Sequence, residues 1–188
     1  MGIRQFLFTM VLLGCGSLAS AQGVLMPLQQ DPQRIPASNP YQLRTENNPI
    51  SLPFFDDFSG VNITPDPAYW INGGTYVNNR FALRPPTRNV ATFDGLNTQG
   101  NPYGSNLAGP TDTLTSQPIR LGGLTPADSV YLSFYWQSGG KGSAPERNNN
   151  NPRLLRLEFK EESGNWVQVW QQTAPGLVTE FAQVWVAL

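Results

Sequence analysis

The chain has 188 residues, a length that allows one domain with short flanking segments. Only 13% of the residues are charged and the formal net charge is −1, which argues against nucleic-acid binding because that requires a basic surface to displace counterions. The 17 prolines and 18 glycines imply many turns and favour β structure over a helical bundle.

The chain contains no histidine and a single cysteine, Cys15. Histidine supplies most general bases near neutral pH and many zinc ligands. Its absence excludes Ser-His-Asp and Cys-His catalytic sites and zinc sites of the Cys/His kind. Any catalysis would rest on carboxylates, arginine or tyrosine, and no pair of acidic residues stands out at a spacing suited to it. The sequence therefore predicts a noncatalytic protein without a bound cofactor, calcium excepted.

The first 21 residues have the layout of a secretory signal peptide. Arg4 precedes an apolar run over residues 6–13, and the small residues Ala19 and Ala21 form a cleavage site before Gln22. The apolar run is too short to cross a bilayer as a mature helix. We therefore expect a mature chain that begins at Gln22, has no transmembrane helix and reaches the cell exterior through export machinery.

A second interpretation of this segment is a lipoprotein signal. The sequence Leu12-Leu13-Gly14-Cys15 resembles a lipoprotein box, in which acyl chains on Cys15 would hold the protein at a membrane. The short apolar run before Cys15 and the Ala-x-Ala site that follows favour ordinary cleavage. Ordinary cleavage would leave a mature chain without cysteine, stabilised by packing rather than by disulfides.

Residues 22–51 are rich in proline, glutamine and asparagine and are predicted to form an extended, largely unstructured leader. A β domain is predicted over residues 52–188, beginning with a strand in the stretch LPFFDDFS at residues 52–59.

The rest of the domain is predicted to consist of short strands separated by turns rich in glycine and proline. Strands are expected at Tyr69–Ile71, Thr75–Asn78, Val90–Asp94, Gln117–Leu121, Ser129–Gln137, Leu154–Lys160, Trp166–Gln171 and Glu180–Leu188. No segment with helical periodicity competes. The predicted class is all-β, a jelly-roll-type antiparallel β-sandwich.

Alternation of apolar and polar residues assigns the faces of the central strands. In the strand at Ser129–Gln137, the residues expected to face the core are Val130, Leu132, Phe134 and Trp136. Tyr131, Ser133 and Tyr135 are expected on the opposite face. The strand pair after it is predicted to be a hairpin with residues 161–165 as its loop, in which Leu155, Leu157 and Phe159 share one face and Trp166 and Trp170 lie opposite Val167 and Val169.

Seven aromatic residues are candidates for a platform on which sugars stack, although most of them are expected in the core of a sandwich: Tyr69, Trp70, Tyr76, Trp136, Trp166, Trp170 and Trp185. Tyr131, Tyr135, Trp166 and Trp170 are the predicted ligand-binding residues, since they lie opposite the assigned core or on the neighbouring hairpin. Glu146 is added because it lies in the long polar loop at residues 139–153, and such loops often carry function.

Asp56, Asp57 and Asp94 are candidate calcium ligands, because calcium is bound by carboxylate and carbonyl oxygens that loops bring together. A structural role competes in each case. Neighbouring residues of a regular strand point to opposite faces, so Asp56 and Asp57 could instead cap the strand or pair with an arginine. Asp94 precedes Gly95 in a typical turn dipeptide and could simply end a strand.

Several segments occur in an order and at spacings that resemble a known family. These segments are LPFFDDFS…YW, VATFDGLNTQGNPYG, DTLTSQPIRL, DSVYLSFYWQSGGKGSAPE and LRLEF…NWVQVW. Together they resemble the N-terminal jelly-roll domain, of the MAM and concanavalin-like type, of large secreted Bacteroidetes proteins that use type IX secretion and in part serve gliding motility. The resemblance spans about residues 52–188 and implies a secreted or outer-membrane cell-surface location. It also implies adhesion, or binding of an extracellular glycan or protein, and no known reaction.

The chain departs from this family pattern at two places. Arg147 and four asparagines follow Glu146, where the family usually has a short acidic turn. The sequence also stops within a predicted strand, which predicts a domain that is incomplete at its C-terminal end and belongs to a larger exported protein. Two alternatives remain open: an accessory domain of an exported hydrolase whose catalytic part lies beyond Leu188, or a small surface lipoprotein anchored at Cys15.

Overall fold

The computed structural model describes residues 26–32, 34, 49–60, 62–104, 111–147, 150 and 152–188. Cys15 and the predicted cleavage site at Ala19, Ala21 and Gln22 lie outside the described residues. Within them, no helix is long and apolar enough to cross a bilayer.

The described chain contains eight strands and one short 3-10 helix, at Pro126–Asp128. The strands are β1 (Trp70–Gly73), β2 (Tyr76–Asn78), β3 (Val90–Thr92), β4 (Thr113–Ser116), β5 (Tyr131–Trp136), β6 (Leu154–Lys160), β7 (Trp166–Thr173) and β8 (Ala182–Ala187). They form four antiparallel pairs, β1–β4, β2–β3, β5–β8 and β6–β7. The β-rich class is confirmed, and the jelly-roll topology stays a prediction.

The prediction of a strand at residues 52–59 is wrong. The Asp56 and Asp57 carboxylates accept hydrogen bonds from the amides of Phe58 and Ser59, two residues further along, at 2.8 and 2.9 Å. A carboxylate that binds the amide two residues on closes a turn, so consecutive turns replace an extended strand here.

The strand expected at Gln117–Leu121 lies earlier, at Thr113–Ser116, where it pairs with β1. Pro118 has no amide hydrogen to donate to a ladder. Its carbonyl instead accepts a bond from the amide of Ile50, and Arg120 donates to the carbonyl of Ile50, at 2.7 and 2.8 Å. This stretch therefore forms an isolated parallel bridge between Ile50 and Ile119.

Strand β5 shows the predicted alternation. Leu132, Phe134 and Trp136 are partly buried, whereas the residues between them are exposed. The ring of Trp170 on β7 meets those of Phe134 and Trp136 edge-on, with centroids 5.3 and 6.1 Å apart. The inner faces of the β5–β8 and β6–β7 pairs therefore pack against each other as two layers.

A β-bulge in the β6–β7 hairpin places Trp166 and Trp170 on opposite faces. Leu157 pairs with Trp170, but the next residue, Glu158, pairs with Gln168, so that Val169 is an extra residue in β7. Trp170 consequently faces inward with Leu157, while Trp166 faces outward. The prediction that the two tryptophans share one face is wrong, because alternation assumes an unbroken ladder.

Part of the segment predicted to be an unstructured leader packs on the domain. The side chain of Arg34 is only 5% exposed. The amide of Asp31 donates to the carbonyl of Gly100 at 2.8 Å, and Leu28 lies beside Gly95. The described residues of the predicted leader therefore contact the β domain at Leu28, Asp31 and Arg34.

Candidate functional site

The outward face of the β5–β8 pair carries three large exposed aromatic side chains. Tyr131, Tyr135 and Trp185 are 57%, 52% and 63% exposed. The rings of Tyr131 and Trp185 meet almost perpendicularly, at 78°, with their centroids 6.4 Å apart. We call these three side chains the aromatic face.

The antiparallel register fixes the positions of these side chains. Ser133 lies directly opposite Trp185, and Gln183 lies opposite Tyr135. Directly opposed residues point to the same side of a sheet, so the serine hydroxyl and the glutamine amide lie among the rings. On the inward side of β5, Phe134 and Trp136 contact the ring of Trp170 in the other layer.

The chemistry of this face suits an uncharged, hydroxyl-rich ligand. The outward residues of the two strands carry no formal charge: Tyr131, Ser133, Tyr135, Gln183, Trp185 and Ala187. Aromatic rings offer flat apolar surface, and hydroxyl and amide groups donate and accept hydrogen bonds beside it. Sugar rings present apolar C–H faces with hydroxyl groups around their edges. Aromatic rings beside hydroxyl and amide groups are complementary to such a surface.

The structure brings together only part of the predicted ligand-binding set. Tyr131 and Tyr135 share the aromatic face, whereas Trp166, 50% exposed, lies on the outer side of the other layer, opposite Lys160. Trp170 lies between the layers, where its ring contacts Phe134 and Trp136, and it is therefore not part of the aromatic face. Glu146 is exposed in the loop between β5 and β6.

Trp185 is not among the ligand-binding residues predicted from the sequence, and it is the most exposed member of the aromatic face. The sequence does contain a pattern that indicates an outward Trp185, because Val184 and Val186 alternate with Gln183 and Trp185 at the end of the chain. The general preference of tryptophan for sandwich cores outweighed that local pattern.

Asp56 and Asp57 each have a structural partner. The carboxylate of Asp56 accepts from the indole Nε1 of Trp70 at 2.6 Å in addition to its bond from Phe58. Hydrogen bonds from Ser59 lower the pKa of Asp57 below its ordinary value. In the part of the chain that the structure describes, no three acidic or cysteine side chains are close enough together to hold a metal ion, so the three candidate calcium ligands do not meet.

Asp94 binds an arginine. One oxygen of Asp94 accepts from the amide of Leu96 at 3.1 Å, and the other accepts from the guanidinium of Arg34. Loss of solvent raises the pKa of Asp94, and the positive charge of Arg34 acts in the opposite direction. Arg34 gave no sequence signal, because a lone arginine in a polar segment has no pattern that indicates burial.

A second carboxylate, Asp112, supports the same loop. It accepts from the amide of Gly95 at 2.7 Å, and loss of solvent raises its pKa, with the charge of Asp94 adding to the effect. Tyr103 lies beside it and donates its hydroxyl hydrogen to the carbonyl of Gly73 at 3.2 Å. Burial and the charge of Asp112 raise the pKa of Tyr103 to about 12, so the phenol stays protonated and keeps donating.

Comparisons with protein-family models, with curated proteins and with solved structures found no match. The resemblance to the exported jelly-roll domains therefore rests on the sequence segments that suggested it.

Proposed function

We propose that the protein is a secreted or cell-surface β-sandwich module, without catalytic activity, that binds an extracellular glycan through the aromatic face. The exposed set of Tyr131, Tyr135 and Trp185 on one sheet is the observation that carries this proposal. The signal-like first 21 residues support export, and the resemblance to adhesive jelly-roll domains supports a role at the cell surface as part of a larger exported protein.

A neutral glycan fits this face better than a protein partner. Protein interfaces use arginine together with aromatic anchors and rely on charge for orientation, and this face has no charged residue. Tyrosine and tryptophan have few rotatable bonds, so holding them against a ligand costs little conformational entropy. Ser133 and Gln183 supply short polar groups at the level of the rings.

The proposal is tested by affinity electrophoresis of the mature chain through gels that contain soluble neutral polysaccharides, with an acidic polysaccharide as comparison. We expect a neutral polysaccharide to retard the wild-type protein. Tyr131→Ala and Trp185→Ala should each weaken the affinity at least tenfold, which corresponds to about 1.4 kcal/mol.

Trp166→Ala is the matched control, because it removes another exposed tryptophan, from the opposite layer. We expect this variant to bind like the wild type. The proposal fails if no neutral polysaccharide retards the protein, or if Trp166→Ala loses as much affinity as Trp185→Ala. Retention by the acidic polysaccharide alone would assign binding to surface charge rather than to the aromatic face.

A further inference from the structure

A closed pocket surrounds the guanidinium of Arg34. Its Nη1 atom donates to the carbonyl oxygens of Gly74 and Leu96 at 3.1 and 3.2 Å, with the carbonyl of Asn97 at 3.4 Å. The Nη2 atom donates to the carboxylate of Asp94. The ring of Tyr76 lies 4.7 Å from the central carbon, close enough for a cation–π contact.

The loop that forms this pocket holds its shape through bonds that do not involve Arg34. Gly95 donates to Asp112 at 2.7 Å, and the amide of Asn97 donates to the carbonyl of Asn101 at 2.9 Å. The amide of Asn101 returns a bond to the side-chain oxygen of Asn97 at 3.0 Å. These bonds hold the acceptors without a contribution from Arg34, and such preorganisation favours binding.

Glycines let the pocket and its occupant approach closely. At Gly74, whose φ is +113°, a Cβ atom would lie 2.6 Å from both Asp112 Oδ1 and the Tyr103 hydroxyl. At Gly100, whose φ is +74°, a Cβ atom would lie 2.5 Å from the carbonyl oxygen of Asp31. Any larger residue would therefore be strained at either position and would collide with the pocket wall or with the segment that carries Arg34.

We propose that this pocket is a recognition site for an arginine side chain on a peptide segment, and that residues 26–32 together with Arg34 are an occupant supplied by the same chain. The segment binds as a peptide would: Asp31 donates its amide to Gly100, and its carbonyl accepts from the amide of Arg34 at 3.2 Å, a turn that projects the arginine. Residues 26–32 and Arg34 belong to no strand. Binding of this segment is then a step separate from folding of the strands.

The pocket selects arginine over lysine. The planar guanidinium presents separate N–H groups to the carbonyls and to the carboxylate while its central carbon lies over the ring of Tyr76. A lysine ammonium is a compact charge on a flexible stem and cannot make this forked contact.

The test uses the full mature chain with Arg34→Ala, which empties the pocket, and a fluorescent peptide with the sequence of residues 26–37. Fluorescence anisotropy should show saturable binding to Arg34→Ala and at least tenfold weaker binding to the wild type, whose pocket is filled. A peptide with lysine in place of the arginine should bind Arg34→Ala at least tenfold more weakly. Equal binding of both peptides, or equal binding to both proteins, would overturn the proposal.

Arg34→Lys guards against a failure of Arg34→Ala to fold, because it keeps a positive charge beside Asp94. Near-ultraviolet circular dichroism identifies the folded variants. The peptide should also bind Arg34→Lys, by displacing the lysine. If no folded variant binds the peptide, Arg34 is a structural contact only and the proposal is wrong.

The source of the arginine is settled by light scattering on the wild-type chain. A monomer supports an occupant from the same chain. A dimer that Arg34→Ala converts to a monomer would show that the arginine comes from a second copy and would overturn that part of the proposal. None of these measurements depends on glycan binding, so the outcome is independent of the aromatic face.

Discussion

Asp112 illustrates how the Arg34 pocket depends on partly buried charge. Its carboxylate positions the amide of Gly95 and shares the region with Asp94, whose negative charge adds to the loss of solvent in raising the pKa of Asp112. Arg34 opposes this effect. The two partly buried carboxylates therefore destabilise the folded state to some extent while they hold the geometry of the pocket.

The sign of this cost predicts a pH dependence. A carboxyl group whose pKa is raised in the folded state binds more protons there than in the unfolded chain, so its contribution to stability falls as pH rises through the folded pKa. For the wild type we expect the contribution of Asp112 to favour folding more at a pH near 3.8, its ordinary pKa, than at pH 7. Asp112→Asn keeps an oxygen for Gly95 and should reduce this gain on acidification, measured by urea unfolding at several pH values.

Asp128 supplies a control of opposite sign. Hydrogen bonds from the amide and hydroxyl of Thr125 lower the pKa of Asp128, so its contribution is present above the unfolded pKa, near 3.8, and is lost as pH falls. Asp128→Asn should therefore reduce the loss of stability on acidification, whereas Asp112→Asn reduces a gain. Identical pH profiles for wild type and Asp112→Asn would contradict the assignment.

The residue-scale contacts that could be predicted from the sequence are the local ones. Asp56 and Asp57 bind amides only two residues away. Their positions in the sequence alone are enough to suggest a structural role instead of calcium binding. The partner of Asp94 lies sixty residues earlier in the chain, and no local pattern connects Asp94 to Arg34. Contacts of this kind depend on the tertiary arrangement.

At the scale of strands, alternation predicts orientation well where the ladder is regular. In β5 the assigned inward residues are the less exposed ones, and the predicted hairpin loop at 161–165 forms, with Glu161 donating to the carbonyl of Asn165 at 2.9 Å. The bulge at Val169 could not be predicted from the sequence, because a valine between Gln168 and Trp170 fits a regular strand equally well.

The bulge makes a prediction about deletions in β7. Removing Val169 leaves Gln168 opposite Glu158 and Trp170 opposite Leu157 in a regular ladder, so we expect a change of less than about 1 kcal/mol in the free energy of unfolding. Removing Gln171, which pairs with Arg156, forces one flank of the strand to reverse its faces. That deletion should destabilise the protein by more than about 2 kcal/mol, because buried aromatic packing is lost.

Urea unfolding of both deletion variants provides the measurement. The bulge assignment would be refuted by a deletion of Val169 that is as harmful as the deletion of Gln171, since a regular ladder has no residue to spare.

At the scale of the whole molecule, the contact between the β5–β8 and β6–β7 layers is aromatic. The buried hydrophobic residues Ile50, Val77, Ala82 and Leu96 all precede β4. The two later strand pairs meet through Trp170, and Gln137 ties the end of β5 to neighbouring loops by bonds to Leu83 and Thr179 at 2.8 to 3.0 Å. Alternation predicted inward faces, but it could not predict which face meets which, because pairings such as β5–β8 are distant in sequence.

Trp170 and Trp166 test this arrangement within one strand. Trp170→Ala removes the ring that packs between Phe134 and Trp136, so we expect a loss of about 3–5 kcal/mol in the free energy of unfolding. Trp166→Ala removes an exposed ring of the same size from the outer side of the hairpin, where substitutions change stability by about 0.5 kcal/mol or less. Urea unfolding followed by circular dichroism compares the two without relying on tryptophan emission. If the two losses are equal, Trp170 does not join the layers, because only a ring that is buried on folding can contribute more than its exposed counterpart.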